Sequence, residues 1–130
     1  MRKETANWLA GSDYDLTTAE HMFKSGRFLY VVFMCHLAME KALKAIVHDE
    51  TGKLPPKTHD LIYLSGLAAI RFPEDIRDFV GKINSASVVA RYPEDIAKVV
   101  ASYTEDIAGE YLNKTKETLQ WLRQDARLRR

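Results

Sequence analysis

The sequence predicts an all-α protein, an antiparallel up-and-down bundle of about four long helices plus one or two short helices. Apolar residues recur every three or four positions over long stretches, which is the helical period, and no stretch shows the alternation typical of a β-strand. Glycine or proline stands where these stretches end. The 130 residues are the size of one domain, so we expect a single helical domain over residues 1–130.

The first two predicted helices are the longest. The first covers residues 3–25 and ends at Gly26, a typical residue after a helix C-terminus. Its apolar side chains share one face: Leu9, Leu16, Ala19 and Phe23. The second covers residues 27–51 and ends at Gly52, before a pair of prolines. Its first half is apolar all round, which predicts burial on several sides.

Three further helices follow. Thr58 is a suitable N-cap for a short helix that runs to about Leu67. Pro73 is followed by two acidic residues, which is typical of a helix N-terminus. This pattern predicts a helix over residues 73–86. The last long helix covers residues 103–126, and we expect residues 127–130 to be frayed.

Two similar segments lie twenty positions apart, RFPEDI at 71–76 and RYPEDI at 91–96. Two copies are too few for a repeat architecture, so we interpret them as two helix starts that use the same residues. Because a proline disfavours the helical region for the residue before it, Phe72 and Tyr92 are expected in extended chain.

Composition and charge exclude several classes of protein. Lys and Arg total 19 and Asp and Glu total 18, which argues against a generally basic nucleic-acid binder. A single cysteine excludes an intrachain disulfide and fits a reducing cytoplasm. We find no signal-peptide core, no membrane-length apolar run and no metal-ligand spacing. We therefore expect a cytoplasmic protein with no metal and no cofactor.

Several short segments occur in an order and spacing that resemble the HEPN domain family (higher eukaryotes and prokaryotes nucleotide-binding). They are DLTTAE at 15–20, GRF at 26–28, HLAMEKALKA at 36–45, PPKTHDL at 55–61 and ARYP at 90–93. The resemblance implies an antiparallel helical bundle, often dimeric, in a nucleotide or nucleic-acid context. It also implies a small stand-alone prokaryotic type, many of which are encoded beside a minimal nucleotidyltransferase. Some such pairs are toxin and antitoxin, with the HEPN member as a ribonuclease.

The sequence departs from the ribonuclease members, in which four to six residues separate an Arg from a His. No Arg here has a His at that spacing, and Arg27 reaches His36 only after eight intervening residues. Arg91 is followed at those positions by Ile96, Ala97 and Lys98. We therefore lean against an enzyme.

Arg91 and His59 are nevertheless the candidate catalytic residues. The planar guanidinium of Arg91 suits a phosphate, although it could equally pair with a carboxylate or cap carbonyl groups. His59 could serve as an acid–base group if its loop meets Arg91 at one end of the bundle. The alternative is a histidine held in a local hydrogen-bond network at a helix start.

Four more residues are candidates for nucleotide or phosphate binding beside Arg91 and His59. Tyr92 could stack on a base or pack on the bundle. Lys41 and Lys44 lie near Glu40 in a polar stripe of the second helix. This stripe either faces a cleft or a second subunit as a polar seam, or it is a solvated face. Lys57 could belong to a phosphate-contacting patch, or it could be a solvated surface charge. The same two interpretations apply to Lys53 and to the C-terminal arginines Arg123, Arg127, Arg129 and Arg130. Mid-helix Cys35 is expected to be a buried small hydrophobe.

The predicted second helix carries more large apolar side chains than a small bundle readily covers: Phe28, Tyr30, Phe33 and Met34. We expect a homodimer, unless the short helices cover this surface. The predicted function is a nucleotide- or nucleic-acid-binding accessory protein that acts with a minimal nucleotidyltransferase partner. The alternatives are a ribonuclease toxin that uses Arg91 with His59, and a protein-binding scaffold.

Overall fold

A computed structural model describes residues 1–129, which form six α-helices, one 3-10 turn and no β-strand. The predicted helical bundle is confirmed. The helices are α1 (Lys3–Lys24), α2 (Phe28–Thr51), α3 (Leu61–Leu67), α4 (Glu74–Arg91), α5 (Ile96–Ser102) and α6 (Glu105–Arg123). Within residues 1–129, none of these helices combines the length and apolar character needed to cross a bilayer.

Helix α2 is the centre of the bundle. Sixteen of its residues are buried, because α1, α3, α4 and α6 all pack against it. The first half of α2, for which burial on several sides was predicted, is buried only in part: Leu29, Val31, Val32 and Cys35 are buried, whereas Tyr30 is 49% exposed. Cys35 is 0% exposed, and burial raises the pKa of its thiol to about 12. It is the small core residue that its apolar surroundings predicted.

Glycines end the two long helices as predicted. Gly26 follows α1 with φ +78, and Gly52 caps α2 with φ +70. Both values lie in the left-handed region, where a residue without Cβ has no steric penalty. The N–H of Arg27 donates to the carbonyl of Met22 at 2.9 Å, which closes the end of α1. The turn at Gly26 sets the antiparallel course of α1 and α2.

Two predicted boundaries are wrong at the functional end of the bundle. Helix α4 continues to Arg91 instead of ending near Ala86, so Arg91 lies on a helix and not in a loop. Asp60, not Thr58, caps α3, since its carboxylate accepts the N–H groups of Ile62 and Tyr63. The Thr58 hydroxyl instead accepts the N–H of Asp60 at 3.1 Å.

The two similar segments at 71–76 and 91–96 each contain the start of a helix, but the helix begins at a different position in each. Helix α4 begins directly after Pro73, whereas α5 begins only at Ile96, where the Asp95 side chain accepts the N–H of Lys98. Tyr92 has φ −132 and ψ 59 at the end of α4. It is non-helical but not fully extended.

The C-terminal segment is ordered where fraying was expected. Residues Ala126–Leu128 form the 3-10 turn, and Leu128 is buried. Arg127 holds this turn by hydrogen bonds to Asp125 and to the carbonyl of Ala68, the latter at 2.7 Å. Arg130 lies outside the described residues.

Candidate functional site: a shared carboxylate between three helical elements

Glu40 is a carboxylate buried in the middle of α2, with 4% of its surface exposed. A buried charge is costly unless it is paired and hydrogen-bonded. Its Oε1 accepts a hydrogen bond from Nδ1 of His59 at 2.8 Å and lies 3.9 Å from a terminal nitrogen of Arg91. Its Oε2 accepts a hydrogen bond from Nζ of Lys44 at 3.0 Å. We call Glu40, Lys44, His59 and Arg91 the Glu40 cluster.

Lys44 lies one helical turn after Glu40 on α2 and is also buried, at 6% exposure. The i,i+4 spacing places the two side chains on the same face. The ammonium group also lies 5.6 Å from the centroid of the Trp8 ring on α1, within the range of a cation–π interaction. The predicted polar stripe is therefore a seam inside the bundle and not a solvated face.

His59 reaches Glu40 from the loop between α2 and α3, and its side chain is 58% exposed. The loop is held by its neighbour Asp60, which caps α3 and accepts the side-chain amide of Asn84 at 3.1 Å. Because a carboxylate only accepts hydrogen bonds, Nδ1 of His59 carries the hydrogen that it donates to Glu40. In the neutral ring, Nε2 then keeps its lone pair.

Arg91 is the last residue of α4, and its guanidinium lies over the ring of Phe33 at 4.7 Å from the centroid. The side chain is 16% exposed. Its Nε and one terminal nitrogen are buried and form no hydrogen bond within residues 1–129. Buried donors without acceptors are costly. Arg91 therefore has two donor nitrogens that the described residues leave unsatisfied.

His36 lies beneath the Glu40 cluster, one turn before Glu40, and is 0% exposed. Burial lowers the pKa of its imidazole, against the opposing effects of Glu40 and Asn84. The charges of Arg91 and His59 lower this pKa further. Its Nε2 lies 3.5 Å from Oδ1 of Asn84, which suits a neutral ring donating from Nε2.

The structure brings three predicted site residues together. Arg91, His59 and Lys44 all face Glu40, so the expectation that the loop of His59 would meet Arg91 agrees with the geometry. Lys41 points away, and its Nζ pairs with Asp15 of α1 at 2.8 Å.

The remaining candidates lie outside the Glu40 cluster. Lys57 is exposed on the loop two residues before His59. Tyr92 is 77% exposed, so the interpretation that it packs on the bundle is wrong. Two of the C-terminal cations are paired, Arg123 with Asp13 and Arg127 with Asp125. Among the residues described, no group of three or more His, Cys, Asp or Glu side chains is placed to hold a metal ion.

Sequence reasoning placed Glu40 only in the polar stripe with Lys41 and Lys44, and it missed His36, Asn84 and Trp8 as parts of the site. Two signals could have identified Glu40, His36 and Asn84. His36, Glu40 and Lys44 are spaced by four residues within an otherwise apolar helix, which predicts a polar stripe in the core. Asn84 precedes Arg91 by seven residues, two helical turns, so the two share a face of α4.

Comparisons with known proteins agree with this architecture. The family model for the HEPN domain matches residues 5–125. The crystal structure of TT1696 from Thermus thermophilus is similar in fold, with a TM-score of 0.76 and 21% identity over 93% of this chain and 97% of that one. The crystal structure of ST0689, an archaeal HEPN homologue, has a TM-score of 0.74 and 20% identity over 95% and 97%. No curated protein matches this sequence. Because the family match spans nearly the whole chain, the protein belongs to the HEPN domain family.

Proposed function

We propose that this HEPN protein binds the phosphate of a nucleotide or of RNA at the Glu40 cluster. The observation that carries the proposal is the state of Arg91. Its guanidinium is fixed on Phe33 and near Glu40, yet two of its nitrogens make no hydrogen bond. A rotation that brings these donors to the surface breaks no hydrogen bond but gives up the contacts with Phe33 and Glu40, which the new bond to phosphate must outweigh. A phosphate oxygen would supply the missing acceptor in a charge-assisted bond.

Two neighbouring groups support the same chemistry. His59 is the most exposed member of the Glu40 cluster, and its Nε2 side is not committed to Glu40. Lys44 brings an ammonium group to the other carboxylate oxygen. An anion near Arg91 therefore has a second potential donor in the ammonium group of Lys44. Nε2 of His59 is a third donor only when that ring is protonated, because Nε2 of the neutral ring is an acceptor.

The protein acts, in this proposal, in the cytoplasm as a homodimer with a minimal nucleotidyltransferase partner. The partner and the compartment rest on the family resemblance and on cysteine usage. The dimer has support from exposed apolar side chains near Arg91, since Tyr30 is 49% exposed, Val88 59% and Ile96 51%. Surfaces of this kind are typical of protein interfaces.

Calorimetric titration with AMP and with pyrophosphate, at low salt, tests the proposal. Arg91→Gln should weaken binding roughly 10- to 100-fold, the effect of losing a hydrogen bond to a charged group. Arg77→Gln is the matched control, because Arg77 is an exposed arginine on the same helix. Equal affinities for the two variants would contradict the proposal. Absence of binding by the wild type at millimolar ligand would also contradict it and favour a protein-binding scaffold.

A second candidate function is metal-independent RNA cleavage, which one specific contact favours. Glu40 orients the His59 imidazole through Nδ1 and leaves Nε2 as a base, with Arg91 beside the same carboxylate. Such cleavage needs a base for the 2′-hydroxyl, a cation for the developing phosphorane charge and a proton for the leaving 5′ oxygen. His59 and Arg91 would supply the first two, and water would supply the proton. Total RNA and tRNA, incubated without divalent metal, should be cut by the wild type and not by His59→Ala or Arg91→Ala. Intact RNA, or cleavage that survives both substitutions, excludes this candidate.

A further inference from the structure

A groove of ≈ 840 Å³ lies next to the Glu40 cluster, between the start of α1 and the end of α2. Its lining combines an aromatic ring with polar groups and one exposed leucine: Lys3, Glu4, Ala6, Asn7, Trp8, His48 and Leu54. The mixture of an aromatic surface with a few polar groups is typical of a small-molecule site.

The groove is joined to the Glu40 cluster by direct contacts. Trp8 lines the groove and lies 5.6 Å from Lys44, which in turn is 3.0 Å from Glu40. The chain between α2 and α3 makes a second connection, because Leu54 lines the groove and His59 binds Glu40. A ligand that places an anionic group at the Glu40 cluster therefore has the groove directly beside it.

Two contacts connect the floor of the groove to the bundle. His48 is buried and its Nδ1 lies 2.9 Å from the hydroxyl of Thr5 on α1, which ties the two helices together. The ammonium group of Lys44 lies over one face of the Trp8 ring, so a base would stack on the opposite face. An aromatic ring already held by a neighbour loses little side-chain entropy on binding.

Three other grooves are less suited to a ligand that carries a phosphate. The groove beside Tyr92 has two carboxylates, Glu94 and Asp95, next to its one cation, Lys98. The groove between Phe23 and α6 is lined by four carboxylates, Glu105, Asp106, Glu110 and Glu117, which would repel a phosphate. The groove near Gln120 contains Arg123 and Lys116, but both cations are already paired, with Asp13 and Glu20.

We propose that the groove beside Trp8 holds the base of the bound nucleotide, stacked on the indole ring, while the phosphate contacts the Glu40 cluster. This inference rests on the proposed function and extends it from a phosphate site to a nucleotide site. Stacking is tolerant of base identity, because every base has a π-face. The side-chain amide of Asn7 offers both a donor and an acceptor to a base edge.

Tryptophan fluorescence tests the inference directly. The chain has two tryptophans, and Trp121 packs against Phe72, 5.5 Å between ring centroids. Trp121→Phe therefore leaves Trp8 as the reporter. AMP and adenosine should quench its emission, and pyrophosphate should not. An unchanged emission with AMP bound would contradict the stacking.

Affinity measurements separate this inference from the phosphate proposal. Trp8→Leu should weaken AMP binding roughly 5- to 100-fold and pyrophosphate binding by a smaller factor, because the ring also contacts Lys44. Trp8→Phe keeps an aromatic ring beside Lys44 and should retain most of the AMP affinity. Thermal melting of each variant confirms folding. If pyrophosphate binds and Trp8→Leu binds AMP like the wild type, the stacking inference fails and the phosphate site stands. If neither AMP nor pyrophosphate binds, both proposals fail.

Discussion

Nδ1 of His59 donates a hydrogen bond of 2.8 Å to Oε1 of Glu40, across nineteen positions of sequence. The contact joins an exposed loop residue to a carboxylate at the centre of the bundle. It depends on Asp60, which caps α3 and binds Asn84 of α4. Helix α2, helix α4 and the loop between α2 and α3 therefore each position side chains of the Glu40 cluster.

The buried Glu40–Lys44 pair should show strong thermodynamic coupling. Removing one member of a buried pair leaves an uncompensated charge and typically costs about 3–5 kcal/mol of unfolding free energy. Glu40→Gln should cost more than Lys44→Met, because Lys44→Met leaves Glu40 with His59 and Arg91. The double variant should be more stable than the sum of the two losses predicts, as measured by urea unfolding.

The control for this cycle is the exposed pair of Glu20 and Lys116, 3.7 Å apart. Lys116→Met should change the unfolding free energy by at most about 1 kcal/mol. Additive losses for Glu40→Gln and Lys44→Met would show that the buried pair does not act as a unit.

His36 should make the fold sensitive to acid. Its folded-state pKa is lowered below the ordinary 6.5 by burial, opposed by Glu40 and Asn84 and assisted by Arg91 and His59. The unfolded chain then binds a proton more readily than the native state, so stability falls as pH drops below about 6.5. His36→Gln should flatten the dependence of unfolding free energy on pH between 7 and 5. His21→Gln, at an exposed position of α1, should leave it unchanged, and equal slopes for both variants would refute the assignment.

Gly52 should be the costlier of two glycines to replace. Its φ is +70, and an added Cβ would collide with the guanidinium of Arg2. Gly52→Ala should therefore lower the unfolding free energy by about 1–2 kcal/mol. Gly66 lies inside α3 with open space around it, so Gly66→Ala should stabilise the protein by up to about 1 kcal/mol. Denaturant melts compare the two, and a harmless Gly52→Ala would contradict the left-handed cap.

Local signals in the sequence were sufficient for the fold's main elements. The ends of α1 and α2 could be predicted at Gly26 and Gly52, because such a helix end depends on a local property. That property is the positive backbone φ, which glycine adopts without a steric penalty. The end of α4 was predicted too early because Asn84, Ser85 and Ser87 interrupt the apolar period with weak helix formers. In the structure Asn84 bonds to the N–H of Leu61 at 3.0 Å, a contact 23 positions away.

The candidate site was predicted only in part, because it too depends on contacts between residues that are far apart in the sequence. Arg91, His59 and Lys44 are recognisable by residue type, but Glu40 gains its role from contacts that the loop and α4 bring to it. Trp8 belongs to the same region only because α1 packs antiparallel to α2. Such long-range contacts follow from tertiary packing and leave no periodic signal along the chain.

The most direct test of the central claim follows the side-chain Nε–H signal of Arg91 by nuclear magnetic resonance while AMP is added. The account predicts that this signal and the backbone amides of residues 58–60 shift together, with one dissociation constant, and that the Nε–H signal of Arg77 does not move. Shifts confined to other arginines, such as Arg123 beside Asp13, would contradict phosphate binding at the Glu40 cluster.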